Sequence, residues 1–248
     1  ALDRDLLREL LGDEGMRDLL DADAIGQVED DLQHLSERTR ARHADAVHDV
    51  LRRVGDLTQA EVAARMDAPA TAHDVLGGLE AERRAARIRV AGEERWVTAE
   101  DVARYRDGLG VMPPAGLPAA LLEPADDALA GLVARYARTH GPFTTADVAA
   151  RLGIAPGAAD AVLTLLRERG TLVDGHMRPG GVGDEWCDAD VLRRLRRASM
   201  AALRAEVEAV DHAALASFVP AWQRVDRPGS AGGPDALRDV IATLQGVP

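Results

Sequence analysis

No lysine occurs among the 248 residues; every one of the 30 Lys-plus-Arg positions is arginine. A Walker-type phosphate loop needs its lysine on the nucleotide phosphates, and imine chemistry needs a lysine amine, so neither operates within this stretch of chain. Cysteine is nearly absent too. Cys187 stands alone, which excludes an internal disulfide and a Cys-rich zinc site. Aromatic residues make up only 3%, so any core must be built from Ala, Leu and Val. No apolar run approaches the roughly 18–20 residues of a membrane-spanning helix. The opening Ala1-Leu2-Asp3-Arg4-Asp5 lacks the basic-then-apolar pattern of a secretory signal. The expectation is a cytoplasmic chain with no membrane partner.

What is present is a composition suited to helices. Hydrophobic residues reach 46% and charged residues 29%, enough for packed cores and against disorder. Ala, Leu and Arg lose little on entering a helix. The net charge is −12, and residues 1–42 are the most acidic part, with 12 acidic against 6 basic side chains. Polyanion binding draws on basic charge that releases counterions, so this balance opposes strong autonomous binding to nucleic acid.

The chain repeats itself. Residues 55–66 read GDLTQAEVAARM and residues 141–152 read GPFTTADVAARL, with seven of twelve positions identical. Leu57/Phe143, Met66/Leu152 and Glu61/Asp147 preserve character. An amphipathic helix precedes each copy, at about 45–54 and 126–139, and each is expected to close on a left-handed glycine, Gly55 or Gly141. Thr58 and Thr144 or Thr145 are the expected caps of a second helix. A third helix follows each, at 71–84 and 158–169. The period then changes to alternation: Ala86-Arg87-Ile88-Arg89-Val90, a turn at Ala91-Gly92 and a return through Trp96. In the second copy Thr171-Leu172-Val173, a turn at Asp174-Gly175, a Gly-rich tip and Glu185-Trp186-Cys187 do the same. Thr98 with Asp101 reads as a capping box, and Asp188 as a cap ahead of Val191.

Three helices, a small wing and a closing helix, twice over, define a mainly α fold with small β-wings: tandem winged-helix modules. The domain reading is a helical lead-in at 1–42, with Asp21 or Asp23 as cap candidate, and winged helices at 43–112 and 122–199. Residues 200–248 read as the helical part of a third module that stops before its wing.

The stretch THGPFTTADVAARLG, the segment HMRPGG, then EWCDADVLRRLRRASMAALRAEVE and FVPAWQ resemble the C-terminal region of the large helicase-related family (Lhr). LLRELLGDEGMRDLLDADAIGQVEDDLQHL and GEERWVTAEDVARYRDGLGVMPPAGLPAALLEP are similar to the beginning of the same region. The resemblance implies a bacterial superfamily-2 helicase that translocates on single-stranded DNA and unwinds RNA–DNA hybrids, with ATP and magnesium in its motor domains and no cofactor in this region. It further implies a C-terminal winged-helix array that drives homo-oligomerisation and contacts the helicase core of the same chain. The array is also similar to winged-helix DNA glycosylases, whose catalytic triplet is Gln–hydrophobic–Asp or Gln. Gln27-Val28-Glu29 departs from it at the last residue and lies in the lead-in, so glycosylase or DNA-repair chemistry is not carried over.

In a DNA-binding winged helix the third helix enters the major groove and the wing touches the backbone. The candidates are Arg83, Arg84, Arg87 and Arg89 in the first module and Arg167, Arg169, His176 and Arg178 in the second. The competing and preferred reading is ordinary solvated charge, with Arg167/Glu168 and Glu82/Arg83 locally neutralised. Arg193, Arg194, Arg196 and Arg197 form the densest basic run and are candidates for a protein partner, residues 1–42 included. Trp96, Trp186 and Trp222 are expected to pack in cores rather than stack on bases. His43 and His48 are poorly spaced for a metal, and Cys187 is expected to be buried and inert.

Overall fold

The computed structural model describes residues 20–206 except Val182, together with Ala216 and Phe218. The chain divides into two compact units, Ala1–Ala202 and Leu203–Pro248. The helical part of the expected third module and Trp222 lie almost wholly outside the described residues.

Helix α1, Ala22–Leu32, starts at Asp21, whose carboxylate accepts the Ala24 N–H at 2.7 Å. The first module opens with α2, Ala44–Val54, capped by the ring of His43 and ended by Gly55 at φ 105°. Its second helix, α3, is Gln59–Ala64, and its third, α4, is Ala72–Ala81. Strands β1, Ala85–Val90, and β2, Glu93–Thr98, pair antiparallel from Ala85↔Thr98 to Val90↔Glu93. Ala91 and Gly92 both take positive φ (50° and 84°) at the two-residue turn, as the twist of a tight hairpin demands. Helix α5, Val102–Leu109, closes the module.

The second module repeats this order with α6 (Ala128–Thr139), α7 (Thr145–Leu152), α8 (Pro156–Glu168), β3 (Leu172–Gly175), β4 (Glu185–Asp188) and α9 (Ala189–Glu206). Here Asp188 accepts the backbone N–H groups of Asp190 and Val191, capping α9. The repeat in the sequence is a repeat of physical devices. Thr58 with Glu61, and Thr144 with Asp147, each close a reciprocal capping box. Leu57 and Phe143 each add a third, single-residue strand to the wing by exchanging backbone hydrogen bonds with Trp96 and Trp186.

Three local readings change. Gly141 is not left-handed, since α6 ends on an extended His140. It is small because a side chain there would meet Glu29 Oε2 at 3.0 Å and Ile25 Cγ2 at 3.4 Å. Thr98 does not cap the next helix; its hydroxyl donates to the Asp101 carboxylate at 3.0 Å, which is committed to Arg135. The third helices also end slightly earlier than the sequence pattern suggests, at Ala81 and Glu168.

Burial explains how the modules join. Val47, Leu51, Leu57, Val62, Leu76 and Leu79 form the first module's own core beneath Trp96. The alternation of β1 sends Ala86, Ile88 and Val90 the other way, into a core shared with Leu132, Val133, Val148 and Leu163 of the second module. Fully burying one such Ile or Val contributes about 1.5–3 kcal/mol, so the first wing's apolar face is a structural joint. Helix α1 meets the far side: Ile25, Val28 and Leu32 pack with Met177, Cys187, Val191, Leu192 and Leu195. The Asp21 N–H donates to Ser199 Oγ at 2.9 Å, so the lead-in helix is built into the second module's edge.

Candidate functional site

The eight arginine and histidine candidates of the third helices and wings lie at the surface, and most are occupied by the chain's own carboxylates. Arg84 meets Asp45 at 2.7 Å, and Arg87 meets Glu80 at 2.9 Å with its guanidinium over the Trp96 ring. The second module repeats the pattern: Arg167 meets Asp174 at 3.1 Å and lies over Trp186. Arg169 meets Asp127 at 3.0 Å. His176 Nδ1 donates to the Gly183 carbonyl at 2.8 Å, and its Nε2 approaches Asp184 at 3.7 Å. Arg178 folds back to the Pro142 carbonyl and Glu185. Arg83 and Arg89 alone of the eight have no ion-pair partner among the described residues. Trp96 and Trp186 are 6% and 7% exposed, so neither offers a free face for base stacking.

The basic run of α9 also divides. Arg194 reaches back to Asp31 of α1 at 3.1 Å, and Arg193 pairs with Asp190 on its own helix. Leu195, the next residue, is fully buried, while Arg197 is exposed. Arg194 therefore binds the acidic lead-in.

The most developed polar constellation lies where the two modules and α1 converge. Asp56, just after α2, accepts from the Tyr105 hydroxyl at 2.9 Å and from Arg95 Nη1 at 2.6 Å. Its backbone N–H donates back to the Tyr105 oxygen at 2.9 Å. Arg151 of α7 crosses from the second module to the Asp56 carbonyl and to Glu61 Oε1, the latter at 2.7 Å. Beside it, Arg135 of α6 grips Asp101 bidentately, both contacts at 2.7 Å. Burial and the neighbouring Asp56 charge push the Tyr105 hydroxyl well above its ordinary range, keeping it a donor.

Asp56, Glu61, Tyr105, Arg135 and Arg151 line a cavity of about 370 Å³. Gln33, which caps the end of α1, accepts from Arg65 Nη2 and donates to the Thr139 carbonyl, both at 2.6 Å, tying α1 to both modules. His140 stacks on Tyr136 with ring centroids 3.7 Å apart; burial lowers it to about 4, so it is neutral. Burial raises the Glu29 carboxyl above its usual value, against the pull of Arg178 and the Gly141 N–H. Among the described residues no group of three His, Cys, Asp or Glu side chains is placed to hold a metal ion. No single helix there is long and apolar enough to cross a membrane. The sequence reading missed Asp56, Arg95 and Tyr105. A signal existed for Arg151, which occupies the same position of the twelve-residue repeat as Arg65.

The fold and this joint define a tandem winged-helix region. Comparison with known proteins specifies it further. Residues 18–124 match the family description "Large helicase-related protein, winged-helix domain" (second such domain), and residues 210–248 match the third. The chain belongs to the large helicase-related family, as part of its winged-helix region. Over its whole length it is 45% identical to an "Lhr helicase/ probable uracil glycosylase" of Mycolicibacterium smegmatis and 32% identical to an "Lhr helicase/uracil glycosylase" of Escherichia coli. It spans only 16% and 17% of those two proteins.

Proposed function

We propose that this region is a non-catalytic accessory array of a large helicase-related protein, acting in homo-oligomerisation and in contacts with the helicase core. The observation that carries the proposal is the neutralisation of the surfaces a winged helix would use to read DNA. Six of the eight candidate side chains there face a carboxylate of the same chain. An exposed ion pair is worth little to stability, but it does remove cationic charge that a duplex would otherwise recruit. The first wing supports the same reading, because its apolar face is committed to the joint between modules. The ATP- and magnesium-dependent chemistry belongs, on this proposal, to the motor domains of the parent protein. The test is deletion of this region from the parent, followed by light scattering. A drop in oligomeric state supports the assembly role, and an unchanged state overturns it.

A second reading makes the modules a guide for nucleic acid through their third helices and wings. Arg83 and Arg89 are the observations that favour it, being exposed and without an ion-pair partner among the described residues. It requires that charge reversal at these two positions lower DNA affinity.

A further inference from the structure

A second concavity, of about 400 Å³, lies away from the third helices and wing tips, between the ends of α2 and α6 and the start of α9. Arg52 and Arg53 enter it from the last turn of α2, and Arg138 from the last turn of α6. All three are exposed, and none has a carboxylate partner among the described residues. Arg135 and Arg194 complete the wall, each held by an acid outside it, Asp101 at 2.7 Å and Asp31 at 3.1 Å. The two acids in the wall are engaged elsewhere: Asp188 caps α9, and Asp190 pairs with Arg193.

In a chain of net charge −12 whose other candidate arginines are mostly paired, three unpaired guanidinium groups converging on one groove stand apart. The last turns of α2 and α6 favour a cation for their helix dipoles. That accounts for one arginine at each end, and not for three like charges facing one space.

We infer that this groove binds the phosphodiester backbone of single-stranded nucleic acid. Guanidinium groups match phosphate oxygens two at a time, and successive phosphates supply the repeated negative charge that separate arginines need. A concavity of about 400 Å³ seats a short stretch of one strand's backbone, and a duplex is too wide to enter it. No aromatic side chain lines it, so bases have no stacking platform and binding is indifferent to sequence. An acidic protein segment fits less well. Its recognition would rest on a deep apolar or aromatic anchor, and the apolar wall here is only Leu32 and Val191, both already buried in a core.

The test uses the whole 248-residue chain and a fluorescent oligothymidylate, followed by anisotropy as salt is raised. The unmodified chain binds at low salt, with a log–log salt slope of roughly −2 for about three phosphate contacts. The variant R52E/R53E/R138E, checked for an unchanged circular dichroism spectrum, loses at least about tenfold in affinity and most of that slope. Charge reversal at Arg83, Arg89, Arg167 and Arg169 leaves binding unchanged. The proposal is overturned if the chain fails to bind at low salt, or if the groove variant binds as well as the parent chain. It is equally overturned if only the wing variant loses binding, or if polyglutamate displaces the oligonucleotide as readily as unlabelled DNA.

Discussion

Arg151 of the second module donates to the Glu61 carboxylate of the first at 2.7 Å, and Glu61 is also the residue that closes the capping box on Thr58. One carboxylate thus starts a helix and fastens the two modules together. Its counterpart in the repeat, Asp147, only caps. The joint depends most on Asp56, which is 6% exposed and meets Arg95, Tyr105 and Arg151.

Replacing Asp56 by Ala leaves Arg95 buried without its closest acid. Stranding one partner of a buried ion pair costs about 3–5 kcal/mol. Urea denaturation of D56A is expected to show a loss of that order. Tyr105→Phe, which removes one neutral donor, costs about 1–2 kcal/mol. A loss below about 1 kcal/mol for D56A would mean that the ionic joint is not structural.

Gly153 provides an independent check on module docking. It has φ 67°, and a Cβ there would lie 2.9 Å from the Cα of Ala91, at the tip of the first wing. Gly153→Ala combines left-handed strain with a backbone collision. Stability is expected to fall by about 1–3 kcal/mol. Gly92→Ala also occupies a left-handed position, but meets nothing within 4 Å, and should fall by about 1 kcal/mol. Equal losses in the two variants, read by thermal melts, would place the wing tip free of the second module.

The buried His140 gives the fold a mild acid sensitivity. Its folded value is about 4 against an ordinary 6.5, so between these limits the unfolded chain takes up a proton that the folded chain refuses. Its favourable contribution is complete above about pH 6.5 and is lost as pH falls toward 4, by roughly 3 kcal/mol at most. The raised carboxyl of Glu29 acts in the opposite sense as it protonates. His140→Gln should therefore be less sensitive than the parent chain across that window, measured as urea midpoint against pH. Parallel curves would remove His140 from the account.

Cys187 is fully buried, and burial pushes its thiol up to about 12. A disulfide reagent at neutral pH should leave the native chain unmodified and react with one thiol after denaturation. Prompt reaction of the native chain would mean that the packing of α1 over the second wing opens readily.

Much of this was legible in the sequence, and the rest was not for physical reasons. Thr58 and Thr144, Leu57 and Phe143, and the paired tryptophans follow local rules of capping and strand pairing, so the repeat carries them in order. The alternation at Ala86–Val90 announces a buried face without saying what buries it. That face belongs to the second module, a long-range fact. Gly141 looked like a helix stop because glycine usually is one; here its small size admits Glu29 and Ile25 of α1. The charges of Arg84, Arg87, Arg167 and Arg169 could be counted, but their partners Asp45, Glu80, Asp174 and Asp127 are fixed only by folding. Arg52, Arg53 and Arg138 were passed over because no motif unites them; two helix ends bring them to one groove.

The assembly role is tested most directly by light scattering on the 248-residue chain as it elutes from a size-exclusion column, at micromolar concentration. A defined oligomer is expected, its mass a whole multiple of 26.4 kDa. A monomer at every concentration would contradict an assembly surface within these modules.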